Sequence, residues 1–177
     1  MLLDFGQPLA GIIQYAYTVP DVRKAAETWT STFGVGPWIV RGPFTATSAL
    51  YRGNPTKVEL TLARAFNGHV MIELIQQHND APSVYRETIE AKGHGFHHWG
   101  VASVDIDADI ARYKEQGFHV AFEDVLPTGA RVAYVDTTAA LPGMTELIGM
   151  NPAQEAFYTS IYHASLAWDG SDFYRTE

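Results

Sequence analysis

The sequence predicts an α+β fold: two βαβββ modules that form a curved, partly open mixed sheet, followed by a C-terminal helix. Three observations carry this expectation. MIELI at 71–75 returns as MTELI at 144–148. QYAYTVPDV (14–22) and HWGVASVDI (98–106) are matched strand-like openings, and each runs into an aspartate. Beyond each aspartate, apolar residues recur at helical spacing up to a glycine, so each half opens as a strand and then a helix.

In the first half, Asp21 is the N-cap of a helix whose apolar face is Val22, Ala25, Ala26, Trp29 and Phe33, closed by Gly34. A short strand is expected around Trp38–Val40. TKVELTLARAF (56–66) and HVMIELIQ (69–76) are strands, with Asn67-Gly68 read as the hairpin turn between them. APSVYRETIEAKG (81–93) reads as one connecting helix ending at Gly93. In the second half Asp105 caps a helix carrying Ile106, Ile110 and Tyr113, closed by Gly117. A short strand at Phe118–Phe122 follows, then ARVAYVDT (130–137) and GMTELIGM (143–150), joined through Leu141-Pro142-Gly143. The expected division is a first module at 10–80, the connecting helix at 81–93, a second module at 94–150 and a helical extension at 151–177. Asn151 and Pro152 start that last helix, and Phe157, Ile161, Ala164 and Trp168 give it an apolar stripe. It could cap the open end of the sheet or make a homodimer contact. The offset between the halves shrinks from their openings to their ends, so the first half carries an insertion. It is placed in RGPFTATSALYRGNP (41–55), read as a long loop of the kind that covers a site.

Composition narrows the function. The 177 residues are 46% hydrophobic and 18% charged, an ordinary globular balance. Twelve Lys and Arg stand against twenty Asp and Glu, a net charge of -8 that repels phosphate backbones and anionic lipid. Nucleic acid and membrane are therefore not expected partners, and a small-molecule substrate is. The apolar start, MLLDFGQPLAGIIQ, lacks a basic segment and is broken by Asp4, Gly6 and Pro8, so neither a signal peptide nor a spanning helix is expected. The absence of cysteine excludes disulfides and thiolate metal sites. A cytoplasmic protein is the expectation.

The repeated glutamate needs a reason to lie in a buried strand. Strand side chains alternate, so Glu73 shares a face with Met71 and Ile75, while Ile72 and Leu74 suit the helices behind. Gln14 shares its face with Ala16 and Thr18, and His98 with Gly100 and Ala102, small residues that leave open volume above the sheet. Gln14, Glu73, His98 and Glu146 thus converge from matched strand positions. Two carboxylates in a partly dry cleft stay ionised at neutral pH only with a cation between them. One imidazole, two carboxylates and an amide oxygen suit one divalent transition metal, Zn, Ni, Co, Mn or Fe(II), with room for water or substrate. His97 competes with His98 for the ligand role, because a one-residue slip exchanges their faces. Arg64 is expected opposite Met71 on the concave face, where it could hold a substrate carboxylate or phosphate. With Arg64, the residues expected beside the substrate are Trp38, Tyr51 and His97. His69 and His94 read as surface residues.

The tandem pattern, with QYAYTVPDV and HHWGVASVDI as openings and ELI at both module ends, resembles the vicinal oxygen chelate superfamily. That group includes glyoxalase I, methylmalonyl-CoA epimerase, extradiol dioxygenases and bleomycin-resistance proteins, and the likeness spans about residues 10–150. It implies a metal-centred cleft. The order Gln14, Glu73, His98, Glu146 resembles the ligand set of glyoxalase I of the eukaryotic type, while IELIQQHNDAPSVYRETIEAKGHGFHHWGV looks like methylmalonyl-CoA epimerase. The resemblance implies a metal-dependent isomerase, epimerase or lyase that takes a proton from the carbon next to a chelated carbonyl. Glu146, with Glu73 opposite, is then the catalytic pair. A metal-free binding protein of the bleomycin-resistance type and an extradiol dioxygenase are the alternatives.

Overall fold

The structure, a computed structural model of residues 1–177, holds one 11-stranded mixed sheet and four helices. The strands are β1 (Ile12–Thr18), β2 (Trp38–Thr45), β3 (Leu50–Tyr51), β4 (Asn54–Pro55), β5 (Glu59–Asn67) and β6 (Val70–Gln77). They continue as β7 (Gly95–Ser103), β8 (His119–Val125), β9 (Arg131–Asp136), β10 (Met144–Gly149) and β11 (Tyr174–Thr176). The helices are α1 (Val22–Phe33), α2 (Val84–Lys92), α3 (Ile106–Glu115) and α4 (Pro152–Leu166). In the sheet the order is β11-β2-β5-β6-β1-β7-β10-β9-β8-β3-β4, and it is not closed. β1 and β7 run antiparallel at its centre, each flanked by a parallel partner, β6 and β10.

The caps explain where the helices begin. The Asp21, Ser83, Asp105 and Asn151 side chains each accept a bond from the backbone N–H three residues on, satisfying a donor that the helix cannot. Gly34 ends α1 in the left-handed conformation that a side chain would resist.

Three apolar clusters hold the sheet. α1 lies on Trp38, Val40, Ala63, Ala65, Ile72 and Leu74, and α3 on Ala133, Val135 and Leu147. The concave side gathers the rest, and there Leu3 and Phe5 from the N-terminal segment meet Tyr158 and Ile161 of α4. The buried residues of α4 fill one side of the cup. No helix is long and apolar enough to cross a membrane.

Several details depart from expectation. The hairpin turn is Gly68-His69 rather than Asn67-Gly68, since Asn67 pairs with Val70. Arg64 therefore lies opposite Glu73, not Met71; the register moves by two, which keeps its face. Segment 41–55 is not a free loop. Strand β2 continues through it to Thr45, passing Gly42 and Pro43 in a bulge that tolerates the missing N–H. The chain then crosses to the far edge of the sheet, where Leu50 and Tyr51 pair with Glu123 and Phe122. The tail also adds β11, parallel to β2, a three-residue strand too short to show a period.

Candidate metal centre

β1, β6, β7 and β10 are the four central strands, and each projects one polar side chain into the cup. Ala16 pairs with Glu73 and Gly100 with Glu146, so the pleat aims both carboxylates to the concave side. Gln14, Glu73, His98 and Glu146 are all buried. Gln14 Nε2 lies 3.1 Å from Glu73 Oε2, 3.1 Å from His98 Nε2 and 3.2 Å from Glu146 Oε2. His98 Nε2 lies 3.1 Å from Glu146 Oε2 and 3.8 Å from Glu73 Oε2. Close approach of Gln14 depends on Gly100, where an added Cβ would meet Gln14 Cβ at 2.8 Å.

Glu73, His98 and Glu146 form a buried group able to hold a metal ion, their ligand atoms all within 4.8 Å of one another. Ligand bonds of about 2.1 Å place neighbouring donors roughly 3.0–3.4 Å apart, the scale of these separations. The Gln14 amide supplies a second test. Its Oε1 is buried without a partner, while its Nε2 sits among three acceptor atoms. Turning the amide over exchanges the two atoms and brings an oxygen to the point where the other three converge. The residues fit a divalent cation.

His97 is not beside the cleft, although it was expected at the substrate. Ala16 pairs with His98 and Tyr17 with Phe96, so His97 is the extra residue of a β-bulge, and both imidazoles turn to the concave side. His97 Nε2 lies 3.1 Å from the Val84 carbonyl and its Nδ1 2.8 Å from His98 Nδ1. A carbonyl only accepts, so His97 Nε2 carries the proton. Burial pushes His97 down to about 3 and His98 down to about 4, so both rings are neutral. His97 Nδ1 then accepts from His98 Nδ1–H, which leaves His98 Nε2 bare and facing the group.

The two glutamates differ in their neighbours. Arg64 Nε donates to Glu73 Oε1 at 2.7 Å, leaving Oε2 toward the centre. Burial raises the Glu73 carboxyl and Arg64 opposes the rise; burial works against the Arg64 charge too, but Glu73 holds it in place. Glu146 has no cationic clamp, and burial pushes it up to about 7. Across the ladder from it stands Tyr134, whose ring lies edge-on to His98 and whose hydroxyl is 3.0 Å from that of Tyr85.

A cleft of about 220 Å³ opens above Arg64, Glu73 and Glu146, walled by Leu60, Leu62, Phe122 and Val132. Phe44 and Arg41 stand on its rim. Trp38 is not there: alternation along β2 turns it to α1, fully buried, with its indole N–H donating to Thr30 Oγ1 at 3.0 Å. Tyr51 also points elsewhere, its hydroxyl donating to Glu87 of α2 at 2.7 Å. Tyr134, Tyr85 and Arg41 were not anticipated; the Tyr134–Glu146 pairing alone could have been found, by extending the ladder from ELI into AYV.

The sequence matches, over residues 13–134, the family described as the Glyoxalase/Bleomycin resistance protein/Dioxygenase superfamily. The chain belongs to this superfamily. No curated protein matches it. Among solved structures, several share its fold at low identity. A hypothetical protein from Bacillus halodurans C-125 is 16% identical with TM-score 0.58, covering 80% of this chain and 94% of its own. Methylmalonyl-CoA epimerase from Mycobacterium tuberculosis is 17% identical with TM-score 0.57, at 84% and 93% coverage. A methylmalonyl-CoA epimerase variant from Streptomyces coelicolor, in complex with 2-nitronate-propionyl-CoA, is 18% identical with TM-score 0.58, at 82% and 97% coverage.

Proposed function

We propose that the chain is a metal-dependent isomerase or epimerase, or a lyase, that moves a proton at the carbon next to a carbonyl. Its substrate class is a 2-oxo acid, a hydroxy ketone or an acyl thioester. The observation that carries this reading is the convergence of Gln14, Glu73, His98 and Glu146 with an orphaned Gln14 oxygen. The methylmalonyl-CoA epimerases of the same fold support the class. A divalent metal, Zn, Ni, Co, Mn or Fe, would supply positive charge where the carbonyl oxygen gains negative charge.

The protein's own residues divide the work. Arg64 fixes Glu73, so that this carboxylate serves as a ligand and a fixed negative charge. The His97 bond orients the His98 ring. Glu146 borders the cleft without a clamp, so this carboxylate, once loosened from the metal, is the one placed to take the proton and return it. Leu60, Leu62, Phe122 and Val132 give the cleft an apolar wall beside the groups that would move the proton.

The test is metal content together with isotope exchange. Purified protein should carry about one divalent ion per chain, and His98→Ala should lose it. Incubation with 2-oxo acids, hydroxy ketones and acyl thioesters in heavy water should place deuterium next to the carbonyl of one class. A wild-type protein that takes up no metal and exchanges no substrate would leave a ligand-sequestering role as the better account.

A further inference from the structure

Beside the cleft lies a second chamber of about 270 Å³ that the proposed chemistry does not use. The two share Arg41, Arg64, Leu126 and Pro127, so they are parts of one space divided by the arginines. The far wall comes from α4, through Gln154 and Phe157. We propose that this chamber is a subsite for a carboxylate on the substrate, bound by Arg41 and Arg64 with the Gln154 amide behind them. The inference rests on the metal-dependent reading for the other end of the substrate and names what that substrate must carry.

Four observations support it. Arg41 pairs with Leu62 and Ile39 with Arg64, which makes the two arginines diagonal neighbours on one face of the β2–β5 ladder. Like charges so placed repel, and Arg64 works with burial to weaken the Arg41 charge. Arg41 forms no ion pair; its guanidinium lies 4.2 Å over the Phe44 ring, while Asp124 and Glu177 act on it only from a distance. Gln154 is buried to 1% exposure, and its Nε2 has no hydrogen-bond partner.

The orientation of that amide is set locally. Thr128 Oγ1 donates to Gln154 Oε1 at 2.6 Å and accepts from Ala130 N–H at 3.4 Å. The nitrogen is left free beside the arginines. Tyr158, one turn further along α4, is near it but not in bonding geometry. A buried donor without a partner is costly to keep, and a ligand oxygen would relieve that cost.

The charge balance selects the ligand. One of the two guanidinium charges is already set against Glu73, and Glu177 borders the chamber on its exposed side. Arg41 is the guanidinium left without an ion pair, a single cation that fits a singly charged carboxylate better than a phosphate dianion. The substrate so described has a chelating carbonyl at one end, an apolar middle against Leu60 and Leu62, and a carboxylate at the other.

The test compares 2-oxoglutarate and 2-oxoadipate with 2-oxopentanoate and 2-oxohexanoate, which end in a methyl group instead. Titration calorimetry on metal-loaded protein should show at least one dicarboxylate binding about tenfold tighter than its partner or more. Arg41→Gln should erase that preference with metal content unchanged. In metal-free protein, glutarate should raise the unfolding temperature of wild type but not of Arg41→Gln, at matched ionic strength. Gln154→Leu should reduce the glutarate shift, read against that variant's own unliganded unfolding temperature because the change also takes the acceptor from the Thr128 hydroxyl. Metal uptake without any dicarboxylate preference overturns the subsite and leaves the metal reading standing. A glutarate response in a chain that takes up no metal does the reverse. A larger response to inorganic phosphate than to glutarate overturns the carboxylate assignment.

Discussion

Glu73 and Glu146 lie within matching strands of the two halves, yet they live in different company. Glu73 is gripped by Arg64 at 2.7 Å, whereas Glu146 faces Tyr134 and the cleft with no cation to hold it. The same contrast runs through the other two positions. His98 is steered from behind by His97, while the matching Gln14 carries an oxygen with no partner at all. A repeat delivers four side chains to one point, and their neighbours then decide which are fixed and which are free to react.

The largest effect should come from removing the free carboxylate. Glu146→Gln keeps size and an oxygen donor but cannot take a proton, so deuterium exchange into substrate should slow about a thousandfold, within the usual range for a general base. Metal occupancy should fall far less. Comparable losses of exchange and metal would mean that Glu146 only holds the ion, and the two glutamates would then be equivalent after all.

Next comes the clamp. Arg64→Met leaves Glu73 buried without its counter-charge, which should lower the stability of chelator-treated protein by about 3 kcal/mol. Urea denaturation measures this, and added metal should restore part of the loss. A neutral outcome would show that Glu73 needs no fixing.

His97→Ala removes the bond that sets the His98 tautomer and should weaken metal binding roughly 10-fold to 100-fold without abolishing it, as lost outer-shell bonds do. Competition with a chromogenic chelator reads this directly. Loss as complete as that of His98→Ala would make His97 a ligand instead.

The smallest effect is the pH dependence. With its value near 7, Glu146 carries a proton below that pH in the metal-free protein, and metal must displace it. Affinity should therefore rise about tenfold per pH unit up to roughly neutrality and flatten above. A flat profile between pH 5.5 and 7 would place Glu146 ionised already, like an ordinary carboxylate.

The elements of the fold were legible because they depend on local signals. Asp21, Asp105 and Asn151 announce helix starts, and period-2 alternation put Met71, Glu73 and Ile75 on one face, where the structure also has them. What failed were matters of register and reach. The Asn67-Gly68 signal pointed to a turn one residue early, because strand pairing with Val70 outweighs turn preference there. Trp38 looked like a ligand wall because aromatic content says nothing about which face a residue takes. The relation of His97 to His98 hinges on a bulge, a single extra residue with no composition of its own. Arg41 and Gln154 meet only after α4 folds back into the cup, a long-range event that no window of sequence contains.

The β3–β4 hairpin also bears on how the chain reaches this state. Leu50 and Tyr51 complete the outer edge formed by Glu123 and Phe122, segments that lie far apart along the chain. During synthesis the hairpin must wait, exposed, until β8 has emerged and paired with β9. Contacts of such long separation slow folding, because the intervening chain must be ordered before they form. The second half made alone would present β8 as a bare strand edge, an open template for pairing with another copy. The halves look interchangeable on paper, but neither finishes its surface without the other.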